Sequence, residues 1–104
     1  MSTTYTITFS EKGEESVTNS FQCADDEYLL DAAEHAGFEW PYAGRSGTDS
    51  TSTARLVKGS VDQHDQAFLS DEQVEAGYIL TEVAYPKEDC VLVVGVEGEL
   101  HEDK

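Results

Sequence analysis

Residues 41–54 read Pro41-Tyr42-Ala43-Gly44-Arg45-Ser46-Gly47-Thr48-Asp49-Ser50-Thr51-Ser52-Thr53-Ala54. From Trp40 to Ser52 the chain is rich in Gly, Ser and Thr and follows neither the period of a helix nor that of a strand. Compact domains rarely carry more than about 12 residues without regular structure unless the loop has a use. This loop is therefore the first place to look for a site, and the sequence on either side says what holds it.

Upstream, Tyr5, Ile7 and Phe9 alternate with Thr6, Thr8 and Ser10, the pattern of a strand with one buried face. Glu11-Lys12-Gly13-Glu14 supplies a turn, after which Val17, Phe21 and Cys23 resume odd-numbered alternation, so a β-hairpin opens the chain. Asp25 and Asp26 offer N-caps for a helix. Leu29, Ala32, Ala33 and Ala36 make its apolar stripe, and Gly37 stands at its C-terminal end. Downstream, Ala54–Val57, Ile79–Tyr85 and Cys90–Val94 are the remaining strand candidates. Ser70 and Gln73 have the spacing of a capping box for a short helix that Gly77 ends. This order predicts one α+β domain over residues 1–104, with a mixed sheet packed on a single crossing helix. Residues 95–104 are polar enough to fray.

With 104 residues, including four Phe, five Tyr and Trp40, the chain can build one modest core. Its 22 acidic and 6 basic residues give a formal net charge of −16. Such a surface repels phosphate backbones and anionic lipid and favours a soluble monomer that meets basic partners by electrostatic steering, so nucleic acid is excluded as a natural partner. No apolar run approaches the roughly 20 residues needed to cross a membrane, and Met1–Thr4 does not open a secretion signal. A cytoplasmic protein, or a mature form without its address, is expected. Cys23 and Cys90 follow no metal-ligand spacing and read as small core-facing residues. His35, His64 and His101 are scattered and suggest no metal site.

Four segments together resemble the plant-type [2Fe–2S] ferredoxins of cyanobacteria and chloroplasts. They are the loop 41–54, the helix segment Asp25–Glu34, the stretch Gly59–Leu69 and the strand Gly77–Pro86, in the family's order and spacing. The resemblance implies a β-grasp fold, a long cluster-type loop, and one-electron transfer from sources such as photosystem I to ferredoxin-dependent reductases.

The family's ligands are a cysteine, four residues, a cysteine, two residues, a cysteine, and a distant fourth. Laid on this loop the positions are Gly44, Asp49, Ser52 and, far downstream, Glu82. None is cysteine, and Cys23 and Cys90 fall outside the pattern. Thiolates are needed because they are soft anionic donors suited to cluster iron. Gly44 has no donor, Ser52 is a weak one, and Asp49 and Glu82 are hard carboxylates. A carboxylate at Glu82, in an apolar strand, must face outward or meet a partner such as Arg45 or Arg55 near the loop. Asp49, Ser52 and Glu82 could hold a hard cation such as Ca²⁺, but such sites take about 6–8 oxygens in fixed geometry.

By resemblance, Phe68 and Glu97, with Asp62, Asp65 and Asp71, form the surface that docks basic reductase partners, although the ending from Gly95 onward departs from the family's. No cofactor is expected in this chain and no catalytic residue: the reading is a redox-inactive, cluster-free ferredoxin module. It would be a deliberate variant or a diverged natural relative. The alternatives are a working carrier with an unusual cluster or metal, and a structural scaffold with no partner.

Overall fold

The computed structural model describes residues 3–40 and 50–101. Strand β1 (Thr4–Glu11) and strand β2 (Glu14–Ala24) form the opening hairpin, followed by helix α1 (Leu29–His35), β3 (Thr53–Lys58) and β4 (Val61–Asp62). Helix α2 (Asp71–Glu75), β5 (Tyr78–Leu80), a 3-10 turn at Thr81–Val83, β6 (Tyr85–Pro86), β7 (Cys90–Val94) and a 3-10 helix at Glu97–His101 complete the order. The main sheet runs β2-β1-β7-β3-β5, and β4 pairs with β6 separately. β1 and β7 are parallel, from Ile7 opposite Cys90 to Glu11 opposite Val94, while the other pairs of the sheet are antiparallel, so the sheet is mixed as expected. This is the β-grasp arrangement.

The alternation in β1 buries Ile7 and Phe9 against Leu29, Leu30, Ala32 and Ala33 of α1. Phe9, Phe21, Phe38 and Trp40 add an aromatic knot, with Phe9 edge-on to Phe38 and to Trp40 at 5.0 Å between ring centroids. Such pairs contribute about 0.5–1.5 kcal/mol each beyond the area they bury. α1 ends in a Schellman motif in which Phe38 N–H donates to the Ala33 carbonyl and Gly37 N–H to that of Glu34. Gly37 takes φ +93, which only glycine adopts without strain.

Several sequence expectations change. Asp25 and Asp26 do not cap α1: the N-cap is Tyr28, without a side-chain bond, because the Ala84 carbonyl accepts from Leu29 N–H and does the capping from across the fold. Ala36 is the exposed C-cap residue rather than part of the buried stripe. Val17 is 61% exposed because the seven-residue α1 covers the Phe21–Cys23 end of β2 and leaves Glu14–Ser20 in solvent. Ile79–Tyr85 is not one strand. It leaves the sheet after Leu80 and turns through Thr81–Val83, with every residue from Ile79 to Ala84 buried. The strand β4 had no sequence signal, being two residues long. The capping box on α2 is present as read, Ser70 Oγ accepting from Gln73 N–H.

The expected fraying fails at Glu97–His101. Leu100 is buried with Leu69, Leu80 and Val83 in a second, smaller core. Glu99 is tied to three elements: Lys12 Nζ lies 3.1 Å from one carboxylate oxygen, and the Tyr78 hydroxyl donates to the other at 2.8 Å. Arg55 Nε is 3.7 Å from that second oxygen. Partial burial opposes ionisation of Glu99, but the Tyr78 and Lys12 hydrogen bonds and the Arg55 charge outweigh it and hold the carboxyl below its ordinary 4.5.

Glu99→Gln should therefore cost about 1–3 kcal/mol at neutral pH, the range for a hydrogen-bonded, half-buried charged group. The folded carboxyl titrates below the unfolded one, so its contribution is present above about pH 4.5 and lost as the pH falls through the folded value. Thermal melts followed by circular dichroism should show the difference between parent and variant shrinking below that pH. A difference that stayed constant down to acid would mean that the ion pairs contribute nothing.

Candidate functional site

The antiparallel register of β3 and β5 sets Thr53 opposite Leu80, which brings the next residues out, Ser52 and Thr81, to the rim of the sheet together. Thr81 N–H and Thr81 Oγ1 both donate to the Ser52 carbonyl, at 3.2 and 3.1 Å. Thr53 N–H and Oγ1 in turn both donate to the Ser50 carbonyl. The turn at Thr81–Val83 then swings Glu82 inward, and Ser52 and Glu82 are only 3% and 2% exposed. Ser52 and Glu82, two of the four positions that the resemblance gives, are thus both buried, with Thr81, the neighbour of Glu82, bonded to the Ser52 carbonyl; Gly44 and Asp49, with Arg45, lie outside the described residues. The outward-facing reading of Glu82 is corrected, since the strand it presumed breaks before that residue. Arg55, named as a partner for Glu82, has its Nε beside Glu99.

The donor chemistry at these positions can be weighed against a [2Fe–2S] cluster. Ser52 Oγ is a buried hydroxyl with no hydrogen-bond partner among the described residues, and Glu82 presents a carboxylate where a thiolate would be required. Neither is a soft anionic donor, and the set does not fit the cluster. Among the described residues, no group of three or more His, Cys, Asp or Glu side chains is arranged to hold a metal ion. Trp40 Nε1, nearby in sequence, is likewise buried and without a hydrogen-bond partner.

Cys23 and Cys90 are core-facing, as the sequence indicated. Both are free thiols, 1% exposed, on β2 and β7. Their Sγ atoms donate to backbone carbonyls, Cys23 to Glu27 at 3.3 Å and Cys90 to Glu88 at 3.2 Å. Burial, reinforced by the Glu27 carboxylate, pushes the Cys23 thiol up to about 12, and burial pushes Cys90 up to about 11. They are protonated at neutral pH and cannot stand in as ligands.

The residues read as a docking surface sit on several elements. Phe68 is 41% exposed on the loop before α2, and Gln66 shapes that loop by accepting from Phe68 and Leu69 N–H while donating to the Leu69 carbonyl. Asp71 is exposed in the first turn of α2. Asp62 and Asp65 flank His64, whose ring lies 2.8 Å from Asp62 and 3.3 Å from Asp65. Glu97 does not stand free: its carboxylate accepts a hydrogen bond from Ser50 Oγ at 2.5 Å, fastening the C-terminal 3-10 helix to the segment that leads into Ser52. Sequence reasoning missed the His64 arrangement, although Asp62-Gln63-His64-Asp65 placed an imidazole between two acids in plain view.

No described helix is long and apolar enough to cross a membrane. Residues 12–87 match the family model of the 2Fe-2S iron-sulfur cluster binding domain. The chain is 43% identical over 89 residues to ferredoxin-6, chloroplastic, of Zea mays, a match covering 86% of this chain and 57% of the maize protein. It is 44% identical over 64 residues to the vegetative ferredoxin of Trichormus variabilis, covering 62% of this chain and 65% of that protein. Among solved structures, pectocin M2 superposes with a TM-score of 0.84 at 37% identity, over 93% of this chain and 34% of that one. The chain thus spans somewhat under two thirds of these two ferredoxins and a third of pectocin M2. The fold and the loop define a ferredoxin-type β-grasp domain. The chain belongs to the 2Fe-2S ferredoxin family.

Two outcomes follow from the buried groups. Ser52→Ala removes a hydroxyl that makes no hydrogen bond among the described residues, so it should leave stability unchanged or raise it by up to about 1 kcal/mol, whereas Thr53→Val, which loses the bond to Ser50, should cost about 1 kcal/mol. Denaturant titration of both variants separates the cases, and an equal loss in each would mean that Ser52 is bonded after all. Native protein at pH 8 should resist iodoacetamide at both cysteines and react fully once unfolded. Rapid labelling of the native form would contradict the raised thiol values.

Proposed function

We propose that this chain is a ferredoxin module that presents the family's acidic docking face without carrying the family's cluster. The observation that carries the reading is the buried pair Ser52 and Glu82, a hydroxyl and a carboxylate at two ligand positions, with Gly44 and Asp49 at the other two. A thiolate set at these places would hold the irons and supply the one-electron couple. The residues present supply no such couple.

What remains is recognition. A formal net charge of −16 steers the chain toward basic surfaces, and Phe68 gives the acidic face one apolar anchor amid Asp62, Asp65 and Asp71. The partners that suit this face are ferredoxin-dependent reductases or photosystem I, met as a soluble monomer in a cyanobacterial cytoplasm or a chloroplast stroma. Glu97 acts less as a contact than as a brace, because its carboxylate is engaged by Ser50. The second reading, a working carrier with an unusual cluster or metal, is favoured only by Glu82, a buried carboxylate of the kind that hard metals take.

Iron and acid-labile sulfide per chain, with a visible absorption spectrum, test the reading on protein purified without oxygen. The expected result is neither iron nor sulfide and no visible band, from a folded sample that still binds a ferredoxin reductase. The combined Gly44→Cys, Asp49→Cys, Ser52→Cys and Glu82→Cys variant should become coloured on reconstitution with iron and sulfide. Two irons and two sulfides in the parent protein would restore the electron-carrier reading.

A further inference from the structure

We propose that His64 makes the docking face pH-sensitive: with its ring neutral, Asp62 and Asp65 offer a basic partner two negative charges, and with its ring protonated one of these is cancelled. This rests on the docking reading above and names a control acting on that same face.

The geometry favours the cation. His64 Nδ1 lies 2.8 Å from Asp62 Oδ1 and Nε2 lies 3.3 Å from Asp65 Oδ1. A neutral imidazole carries a single N–H and no charge, whereas the imidazolium keeps the hydrogen bond to Asp62 and sets its positive charge 3.3 Å from Asp65 as well. Neither acid is at liberty to swing away. Asp62 Oδ1 also accepts from the His64 backbone N–H at 3.1 Å, and Asp65 Oδ2 accepts from the Tyr28 hydroxyl at 3.0 Å. The ring itself is stacked on Tyr85, at 6.5 Å and 27°, and Tyr85 is stacked on Tyr28 at 4.5 Å. Three segments of the chain therefore hold the carboxylate–imidazole–carboxylate row in one place.

Among the described residues, the ionisable groups around this row are Asp62 and Asp65 themselves, the hydroxyls of Tyr28 and Tyr85, Lys87, whose positive charge lies near Asp62, and Asp25 and Tyr5, which line one cavity with Asp62, Tyr85 and Lys87. The hydrogen bond to Asp62, then the charges of Asp62 and Asp65, raise His64 above its ordinary 6.5, and the same hydrogen bond lowers Asp62. Tyr28, bonded to Tyr85 and Asp65, is pushed well above the tyrosine range and stays protonated, so it does not titrate alongside His64.

The sign follows by linkage. A partner whose Lys or Arg side chains settle on Asp62 and Asp65 competes with the proton on His64 for the same two carboxylates. Binding expels that proton, and affinity falls as the pH drops through the titration of His64.

Two measurements test this. In the free protein, the His64 ring signals followed by ¹H–¹³C NMR should titrate above pH 6.5 and move back toward that value in Asp62→Asn; a titration at or below 6.5 in the parent overturns the geometry. Affinity for a basic ferredoxin reductase is then compared at pH 6 and pH 8.5 in low salt, for parent and His64→Gln. The parent should lose about threefold more affinity on acidification than the variant, the effect expected of one unit charge across a few ångströms of solvated interface. Equal pH dependence in the two proteins overturns this inference and leaves the docking reading intact, while no binding by either protein at either pH removes both.

Discussion

The parallel pairing of β1 with β7 is the constraint on which the other elements depend. β1 lies between β2 and β7, so its bonds to β7 join the hairpin at the start of the chain to the strands from its second half. At one point beside this seam the backbone is fitted closely. Gly59 takes φ +99 with the Asp89 carbonyl so near that a Cβ would lie 2.4 Å from it, and Asp89 in turn accepts from Thr6 N–H through its side chain. A side chain at position 59 would have to part β3 from the start of β7, which is a backbone displacement rather than a rotamer change.

From that seam the sheet carries its register outward to β3 and β5, and the register decides where Ser52 lies against Thr81, the neighbour of Glu82. The frame of the site is thus made by the backbone and hydroxyl bonds from Thr81 to the Ser52 carbonyl, which no ligand side chain supplies. On the reading proposed above, replacing the ligand cysteines leaves these bonds available and separates two properties, a shape that partners recognise and a couple that moves electrons, because the first resides in the sheet and surface and the second in four side chains.

How much of this could be read from the sequence depends on whether the signal was local. Alternation in Tyr5–Phe9, the Ser70–Gln73 capping box and Gly37 after α1 were each set by neighbours in the chain, and each was legible. The helix start was misplaced because the group that satisfies Leu29 N–H is the Ala84 carbonyl, more than fifty residues away, which no propensity encodes. The break after Leu80 was hidden for a similar reason: Ile79 to Ala84 is apolar enough to read as a strand, and only the bonds to Ser52 turn it aside. Glu97 and Glu99 read as tail residues since their acidity suggested solvent, but Ser50, Tyr78 and Lys12 reach them from elsewhere in the fold. At the site, the loop spacing singled out Ser52 and the resemblance Glu82, and the fold buries both; the roles of the surface residues also rested on resemblance.

The apolar interior is divided, and the division has a kinetic meaning. The larger cluster joins the sheet to α1, whereas Leu69, Leu80, Val83 and Leu100 form a separate one beneath the Phe68 loop and the C-terminal 3-10 helix. Cooperative units of a protein open at free energies that track the apolar contacts they would lose. Four buried residues make a lower threshold than the larger cluster, so this corner is expected to open before β1 and β7 part, and its amide protons to exchange with solvent on a faster clock than those of the central strands. Phe68, the apolar anchor of the proposed docking surface, precedes Leu69 of this smaller cluster, so a partner that settled there would also slow that clock.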